Sequence, residues 1–439
     1  MLRLKKVTTL LLLILLLAVS QVVAQKWVSP NYDNHRLDYR DLGYPGVTEI
    51  PADQSRISAL LTGKNGYIYG ATSGSESYLF LYDRFINKVR PLGKIPGSKG
   101  VHHTLVQDSA GILYIGTGLN LLDEIPLTKE FKGGHRQIET QLWKDIKAYH
   151  SGYEGGRIYR YVPGSNDEQV YLPGDRAVLK DLGIMIPGNS VYAMAADPVH
   201  GKLYGISYPD AHFFSLDLAS GLGTDHGTLL DTLVYSGPER SWRSVPRALL
   251  VLGDGRVLTS GNDGKITLFH PGSGSFETTD IRIPGEYWES WNYIGYPVVE
   301  QLVSDEHGII WGSTSDGFLF CFNPERMELE NLGKPRVSRR IRAMTLGKDH
   351  LLYIIAGQID EPCKLFTYDT KKRNGFKNYS YLSVDRSPYY AKRAYQFEAI
   401  TTGPDNTIFI GESDRRGKLF IFIPGGQIFP GGLNPKNPR

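Results

Sequence analysis

A short motif that repeats seven times constrains the fold of this 439-residue chain more than any other feature. The clearest copy, GIIWGSTSDGFLFCFNP, spans Gly308–Pro324 and reads as two short strands joined by the turn pair Asp316-Gly317. A single hairpin cannot bury both of its faces, so each copy requires neighbours. The copies are Gly66–Asp83, Gly111–Gly118 continued by Gly155–Pro163, Gly201–Asp217, Gly255–Pro271, Gly308–Pro324, His350–Asp369 and Asn406–Pro424.

Two further strands flank each motif. Upstream strands begin at Arg56, His102, Tyr192, Arg247, Glu300, Arg342 and Glu398. A downstream strand follows, which in several copies carries the signature Leu-Gly…Pro, as in Val89–Gly97. Four strands per copy make the blade of a β-propeller, so the sequence predicts an all-β protein with seven blades.

The last copy has no downstream strand, because a Gly- and Pro-rich tail follows Pro424. A segment with the missing signature occurs at the other end of the chain, at Tyr39–Gly46. We therefore expect this N-terminal strand to pair beside Leu419–Ile423 as the outer strand of the seventh blade. Such pairing closes the ring and covers an open sheet edge.

The first 24 residues are predicted to be a signal peptide. Three basic residues precede the apolar run Leu10–Val19, and Val22-Val23-Ala24 offers small residues for cleavage. The alternative is a membrane anchor, for which the apolar run is short. Residues 25–439 are then expected to form a single propeller domain, secreted or periplasmic, monomeric and not inserted in a membrane.

Charge and missing motifs narrow the function. Without the signal peptide the chain has 46 basic and 46 acidic residues, so nucleic acid is not an expected partner. The chain has no HxH or HExxH spacing, so no catalytic metal and no cofactor are predicted, although a structural Ca²⁺ or Zn²⁺ ion stays open. The two cysteines, Cys321 and Cys363, are predicted to be buried and unpaired.

Long segments are expected to gather on one face of the propeller. The largest is an insertion in the second blade, residues 119–154, in which apolar residues at helical spacing predict a short helix over Ile138–Ile146. Four of the six tryptophans fall in these segments. They would either stack on sugar rings or pack among the loops themselves.

Aligning the inner strands on the glycine of their first turn gives one equivalent position per blade near the channel mouth. These positions hold Ser58, His103, Ala193, Arg247, Glu300, Arg342 and Glu398, and the position before adds His102 and Tyr192. Buried charges are costly unless they are paired. The set is therefore either an internal Arg–Glu network that braces the channel or a preorganised polar site. Basic residues in the surrounding loops favour an anionic ligand.

Blade copies of the form GxLYIGT…LFxYDP resemble the repeats of bacterial sensor propellers, of regucalcin-like lactonases and of propeller-type polysaccharide lyases. The similarity to lyases that act on ulvan and other uronate polysaccharides implies a secreted lyase that cleaves an anionic polysaccharide by β-elimination. From their predicted positions, Arg247 would neutralise the uronate carboxylate, His103 would be the base and Tyr208 the acid. Residues expected to hold the substrate are His102, Tyr153, Tyr192, His212 and Arg342.

Two alternatives remain open on the sequence alone. The first is a non-catalytic propeller that binds glycans or a protein partner. The second is a metal-dependent hydrolase of the lactonase type, which would need carboxylates around a central ion. Glu300 and Glu398 could supply them, but the neighbouring Arg247 and Arg342 would repel a cation.

Overall fold

A computed structural model describes residues 36–42, 50–121, 135–164, 179–231, 241–286, 297–336, 340–357, 362–386, 390–414 and 416–426. Within these ranges the chain forms seven four-stranded antiparallel sheets, and in six of them the strands are paired in chain order. The prediction of an all-β, seven-bladed propeller is confirmed. The predicted signal peptide lies outside the described residues.

The strands of each blade are given from the inner to the outer position. The first blade contains Arg56–Thr62, Ile68–Ser73, Tyr78–Asp83 and Lys88–Lys94, and the second contains Leu105–Gln107, Leu113–Gly116, Arg157–Tyr161 and Leu179–Ile184. The third blade contains Ser190–Asp197, Lys202–Tyr208, His212–Asp217 and Gly223–Thr228, and the fourth contains Leu250–Val251, Val257–Ser260, Lys265–His270 and Ser275–Arg282. The fifth blade contains Val299–Ser304, Ile310–Thr314, Leu319–Asn323 and Glu328–Gly333, and the sixth contains Ile341–Leu346, Leu351–Ala356, Lys364–Asp369 and Phe376–Tyr381. The seventh blade contains Phe397–Thr402, Ile408–Glu412, Lys418–Ile423 and Arg36–Asp41.

The ring is closed by the N-terminal strand, as expected. Arg36–Asp41 pairs antiparallel with Lys418–Ile423 over six residue pairs. The predicted strand, Tyr39–Gly46, was placed three residues too late, because Leu42 of the signature comes after the strand instead of lying within it. Tyr39 is buried and packs on Phe420 with 5.7 Å between ring centroids. Pairing and burial together attach this strand to the seventh blade.

The hydrophobic core is divided among the blade junctions. Among the described residues, buried side chains form seven clusters, and each joins two adjacent blades. Between the first and seventh blades, for example, Phe80 and Tyr82 pack with Phe409 and Ile421. Apolar burial therefore stabilises the association of the blades as well as each sheet.

Close packing explains a glycine in the repeated motif. A Cβ atom at Gly70 would lie 2.2 Å from the ring of Phe80, and one at Gly312 would lie 2.1 Å from the ring of Phe320. In both blades the aromatic ring of the third strand covers the backbone of the second. Only glycine leaves room for that contact.

The insertion in the second blade contains the predicted helix, which runs from His135 to Tyr149 and is longer than expected at both ends. Ile146 is buried in the apolar cluster between the third and fourth blades. Lys147 binds Asp210 of the third blade with 3.1 Å between Nζ and Oδ2. A second segment outside the blades forms a hairpin, in which Ser383–Arg386 pairs with Tyr390–Arg393. Within the described ranges, no helix is both long and apolar enough to cross a membrane.

Candidate functional site

A β-bulge interrupts the inner strand of five blades at the same level. The register shifts at Ser58, Tyr192, Glu300, Arg342 and Glu398. A bulge re-aims the side chain of its extra residue, and bulges are common next to active sites. In the second and fourth blades the pairing of the inner strand begins only after this level. Counting back from the paired residues shows that His103 and Arg247 are the equivalents of Ser58 in these blades. We call these seven residues the polar ring.

One member of the ring differs from the residue expected from the sequence. The equivalent of Ser58 in the third blade is Tyr192, not Ala193, because Ala196 pairs with Leu203 as Thr62 pairs with Ile68. The alignment slipped because the turn after Asp197 is one residue longer than its equivalents. The ring therefore contains a tyrosine where alanine was expected.

The charged members of the ring form an ion network. Arg342 Nη1 donates to Glu398 Oε1, and both side chains are 4% exposed. Glu300 accepts two hydrogen bonds from Arg340, of 3.1 Å from Nε and 3.3 Å from Nη2. Arg340 precedes the inner strand of the sixth blade with φ of 75°, a left-handed conformation that is rare outside glycine. The network predicted as one alternative is therefore present.

Arg247 is held more loosely than the other two guanidinium groups. Its Nη1 lies 3.5 Å from Glu300 Oε2 and 3.9 Å from Glu398 Oε2, and its side chain is 26% exposed. The distance to Glu398 is beyond hydrogen-bond range, and the distance to Glu300 is at its limit. Each carboxylate already accepts a hydrogen bond from another arginine, Glu300 from Arg340 and Glu398 from Arg342. Three cations thus share two anions, and Arg247, which also interacts with Tyr192, is the cation most weakly bound to a carboxylate.

A series of rings connects Arg247 to the insertion. The guanidinium lies 5.6 Å from the ring centroid of Tyr192, which lies 5.0 Å from that of Tyr208. Tyr208 in turn lies 5.8 Å from His150 at the end of the insertion helix, and His150 lies 6.5 Å from Tyr153. Burial raises the pKa of Tyr208, so its hydroxyl stays protonated.

Both neighbouring histidines are neutral near pH 7. Burial lowers the pKa of His102 to about 4, with a smaller lowering from Arg247. Burial and the Arg247 charge lower the pKa of His103 to about 3. His102 lies 6.0 Å from the ring of Tyr192, and His103 Nδ1 lies 3.1 Å from the amide nitrogen of Gln301. Two uncharged imidazoles, His103 of the polar ring and the adjacent His102, therefore lie beside a net positive group of ions.

The residues predicted for the site are thus mostly brought together, with one exception. His102, His103, Tyr192, Tyr208, Arg247 and Arg342 share contacts or charge interactions, and Tyr153 joins them through His150. His212 instead binds Asp225 of the outer strand, with 2.9 Å between Nδ1 and Oδ2. In the described part of the chain no contact links His212 to the polar ring.

Two partners in the site were not assigned from the sequence. Gln301 was overlooked because a neutral amide carries no signal of its own, although it directly follows Glu300. Arg340 is one of the basic loop residues, and its bond to Glu300 depends on a backbone conformation that sequence does not reveal. These two residues fix the orientation of His103 and Glu300.

The tryptophans of the long segments divide into two groups. Trp143 and Trp242 are partly buried and pack against the cluster between the third and fourth blades. Of the two roles considered for the tryptophans, these two therefore have the role of packing among the loops. Trp288 and Trp291 lie outside the described residues. Cys321 and Cys363 are both buried, as predicted, and no disulfide joins them to each other.

No metal-binding group stands out where the structure is described: no three His, Cys, Asp or Glu side chains are grouped so that they could hold an ion. Both carboxylates of the ring bind arginine instead. A lactonase-type site would require displacement of these guanidinium groups.

Comparisons with known proteins reveal similarity of fold. No family model and no curated protein matches the chain. A streptogramin B lyase superposes with a TM-score of 0.59 at 13% identity, over 90% of this chain and 99% of that one. A catalytically inactive virginiamycin B lyase from Staphylococcus aureus with quinupristin gives 0.57 at 11% identity, over 89% and 99%.

The third comparison is with the extracellular domain of a putative hybrid two-component system from B. thetaiotaomicron. Its TM-score is 0.51 at 14% identity, and the match covers 88% of this chain but 39% of that one. These likenesses show a β-propeller fold. The expected similarity to bacterial sensor propellers is confirmed at that level. A link with polysaccharide lyases is not among them and stays a prediction.

Proposed function

We propose that this protein is a secreted lyase that cleaves a uronate-containing, anionic polysaccharide by β-elimination at the polar ring. The observation that carries the proposal is the loose coordination of Arg247. With Glu398 bonded to Arg342 and Glu300 bonded to Arg340, Arg247 can turn its guanidinium to a carboxylate without leaving a buried anion unpaired.

The chemistry of elimination fits the side chains around Arg247. A guanidinium bound to the uronate carboxylate would acidify the proton on the adjacent carbon, because it stabilises the charge that develops when this proton leaves. One of the two neutral histidines beside Arg247 would accept that proton. The hydroxyl of Tyr208, which stays protonated, would supply a proton to the departing glycosidic oxygen. This scheme uses side chains alone.

Two further observations support the proposal. The two lyases among the similar structures show that a propeller of this size can support lyase chemistry, although their identity to this chain is too low to transfer a substrate. The predicted signal peptide would take the protein to a compartment where polymers are met. The aromatic series from Tyr192 to Tyr153 is mostly buried and packs beside Arg247, so it supports the anion-binding group from within the fold.

The test is incubation of the purified mature protein with a panel of acidic polysaccharides, while the absorbance of unsaturated uronate is followed. Wild-type protein is expected to form unsaturated product from at least one polymer. Arg247→Met should lose most of this activity, whereas Arg256→Met should keep it. Arg256 is a matched control, since its side chain is 25% exposed and lies in a turn at the other end of the inner strands. Binding of these polymers without any unsaturated product would refute the proposal.

A second candidate is a propeller that binds acidic glycans without cleaving them. It is favoured by the low pKa of His102 and His103, since a weakly basic imidazole is a poor proton acceptor. Saturable binding of an acidic oligosaccharide that is recovered unchanged would establish this candidate.

A further inference from the structure

The hydrogen bond of His102 determines which of its nitrogens carries a proton. Its Nε2 lies 3.0 Å from the backbone oxygen of Leu119. A carbonyl oxygen can only accept, so Nε2 carries the hydrogen and donates. Because the imidazole is neutral, its Nδ1 keeps a lone pair. None of the residues that the structure describes forms a hydrogen bond with that Nδ1.

His103 has the opposite nitrogen occupied. Its Nδ1 lies 3.1 Å from Nε2 of Gln301, and the same amide nitrogen lies 3.4 Å from the backbone oxygen of Arg342. Since the Arg342 oxygen can only accept, this end of the amide is the NH₂ group. The amide therefore donates to His103 Nδ1, and the ring hydrogen is on Nε2. The lone pair of His103 is already used.

We infer that His102, and not His103, is the residue that accepts a proton in the proposed elimination. This assignment rests on the proposed function and replaces the role expected for His103 from the sequence. His102 has a lone pair that is not committed to a described partner, and it lies in ring contact with Tyr192, which in turn contacts Arg247. The acceptor and the carboxylate-binding cation are thus two contacts apart.

The reaction can then be written with all protons placed. His102 Nδ1 takes the proton from the carbon next to the uronate carboxylate, and the released electron pair forms the carbon–carbon double bond. The bond from the neighbouring carbon to the glycosidic oxygen breaks, and this oxygen takes the hydroxyl proton of Tyr208. Solvent then carries the proton of His102 to the tyrosinate, which restores both residues. His103 Nε2–H acts only as a hydrogen-bond donor to developing negative charge, as neutral imidazoles can.

Chemical rescue distinguishes the two histidines. Wild-type protein, His102→Gly and His103→Gly are assayed on the polymer that wild type cleaves, with and without added imidazole. His102→Gly should lose on the order of 10²-fold or more in kcat, and imidazole should restore part of it. His103→Gly should lose activity that imidazole does not restore. His307→Gly, in an exposed turn at the far end of the fifth inner strand, is the control and should behave as wild type.

A second measurement does not depend on activity. Two-bond ¹H–¹⁵N correlation spectra at pH 7 should show both imidazoles neutral with the proton on Nε2, and Gln301→Leu should change the spectrum of His103 but not that of His102. A proton on Nδ1 of His102, rescue of His103→Gly, or no rescue of His102→Gly would each overturn the inference while leaving lyase activity intact. Wild-type protein that forms no unsaturated product would instead refute the proposed function itself.

Discussion

Nδ1 of His103, in the second blade, lies 3.1 Å from the amide nitrogen of Gln301, in the fifth. These blades stand on opposite sides of a seven-membered ring, so the two side chains together span the central channel. Arg247 and Glu398, of the fourth and seventh blades, approach to 3.9 Å across the same space. The histidine and the charged members of the polar ring therefore interact across the channel, whereas Ser58 bonds Ser73 and Val101.

Arg247 should dominate the affinity for acidic oligosaccharides. Arg247→Met is expected to weaken binding by about tenfold or more, since a charge-assisted bond to a carboxylate contributes roughly 1.5–3 kcal/mol. Titration calorimetry at two salt concentrations measures this, and the salt dependence of the affinity should be smaller in the variant. Arg256→Met provides the comparison. Equal affinities for the two variants would place the anion site elsewhere.

The bond between Arg342 and Glu398 should matter for stability, because both groups are buried. Arg342→Met leaves Glu398 short of a partner and is expected to lower the free energy of unfolding by about 3–5 kcal/mol. Adding Glu398→Gln should recover a large part of that loss. Urea denaturation at pH 7 tests both variants.

An exposed ion pair serves as the control for that experiment. Arg373 binds Glu330 at 2.7 Å, with both side chains about half exposed. Arg373→Met should change the free energy of unfolding by less than about 1 kcal/mol. If the buried and exposed substitutions cost the same, the ion network is not a stabilising unit.

The buried histidines should make the fold sensitive to acid. Below its ordinary pKa of 6.5, His102 binds a proton in the unfolded chain, but in the folded protein it stays neutral down to about pH 4. The unfolded state therefore binds more protons in this window, and stability falls as the pH falls. For His102 the loss between pH 7 and pH 5 should be about 2 kcal/mol.

Denaturation curves at the two pH values measure this loss directly. His102→Gln keeps a donor for the Leu119 oxygen but does not titrate, so it should flatten the dependence, whereas His307→Gln should not. A wild-type protein equally stable at pH 5 and pH 7 would show that His102 is not held neutral.

Closure of the ring predicts a large cost for changes in the N-terminal strand. Tyr39→Ala should lower the free energy of unfolding by about 3 kcal/mol, because it removes a buried ring from the core of the seventh blade. Thr224→Ala, at an exposed position of another outer strand, should have little effect. A small effect at Tyr39 would mean that the strand adds little to the ring.

The architecture could be predicted because a propeller repeats its strand pattern, and each repeat confirms the others. Even the closing strand was recognisable, because the last repeat has no fourth strand and one additional strand segment precedes the first repeat. Its exact bounds were not, because the length of pairing depends on the partner strand, Lys418–Ile423. The level of the polar ring was also predictable from the turn that follows each inner strand.

The features that the sequence did not reveal depend on strand register and on contacts between residues far apart in the chain. The longer turn after Asp197 shifted the third blade by one residue and concealed Tyr192. The contact between His103 and Gln301 joins residues 198 positions apart and follows no local pattern. His212 has the same chemical character as the site histidines, but its strand presents it to Asp225.

Pairing of Arg36–Asp41 with Lys418–Ile423 also orders events during synthesis. The side chains of Asp41 and Lys418 are bonded although 377 positions separate them. The N-terminal strand leaves the ribosome long before its partner is made and has to wait, unpaired, while six blades emerge. The seventh blade is consequently the last to be assembled, and until then the nascent chain carries an open sheet edge that chaperones or neighbouring chains can engage.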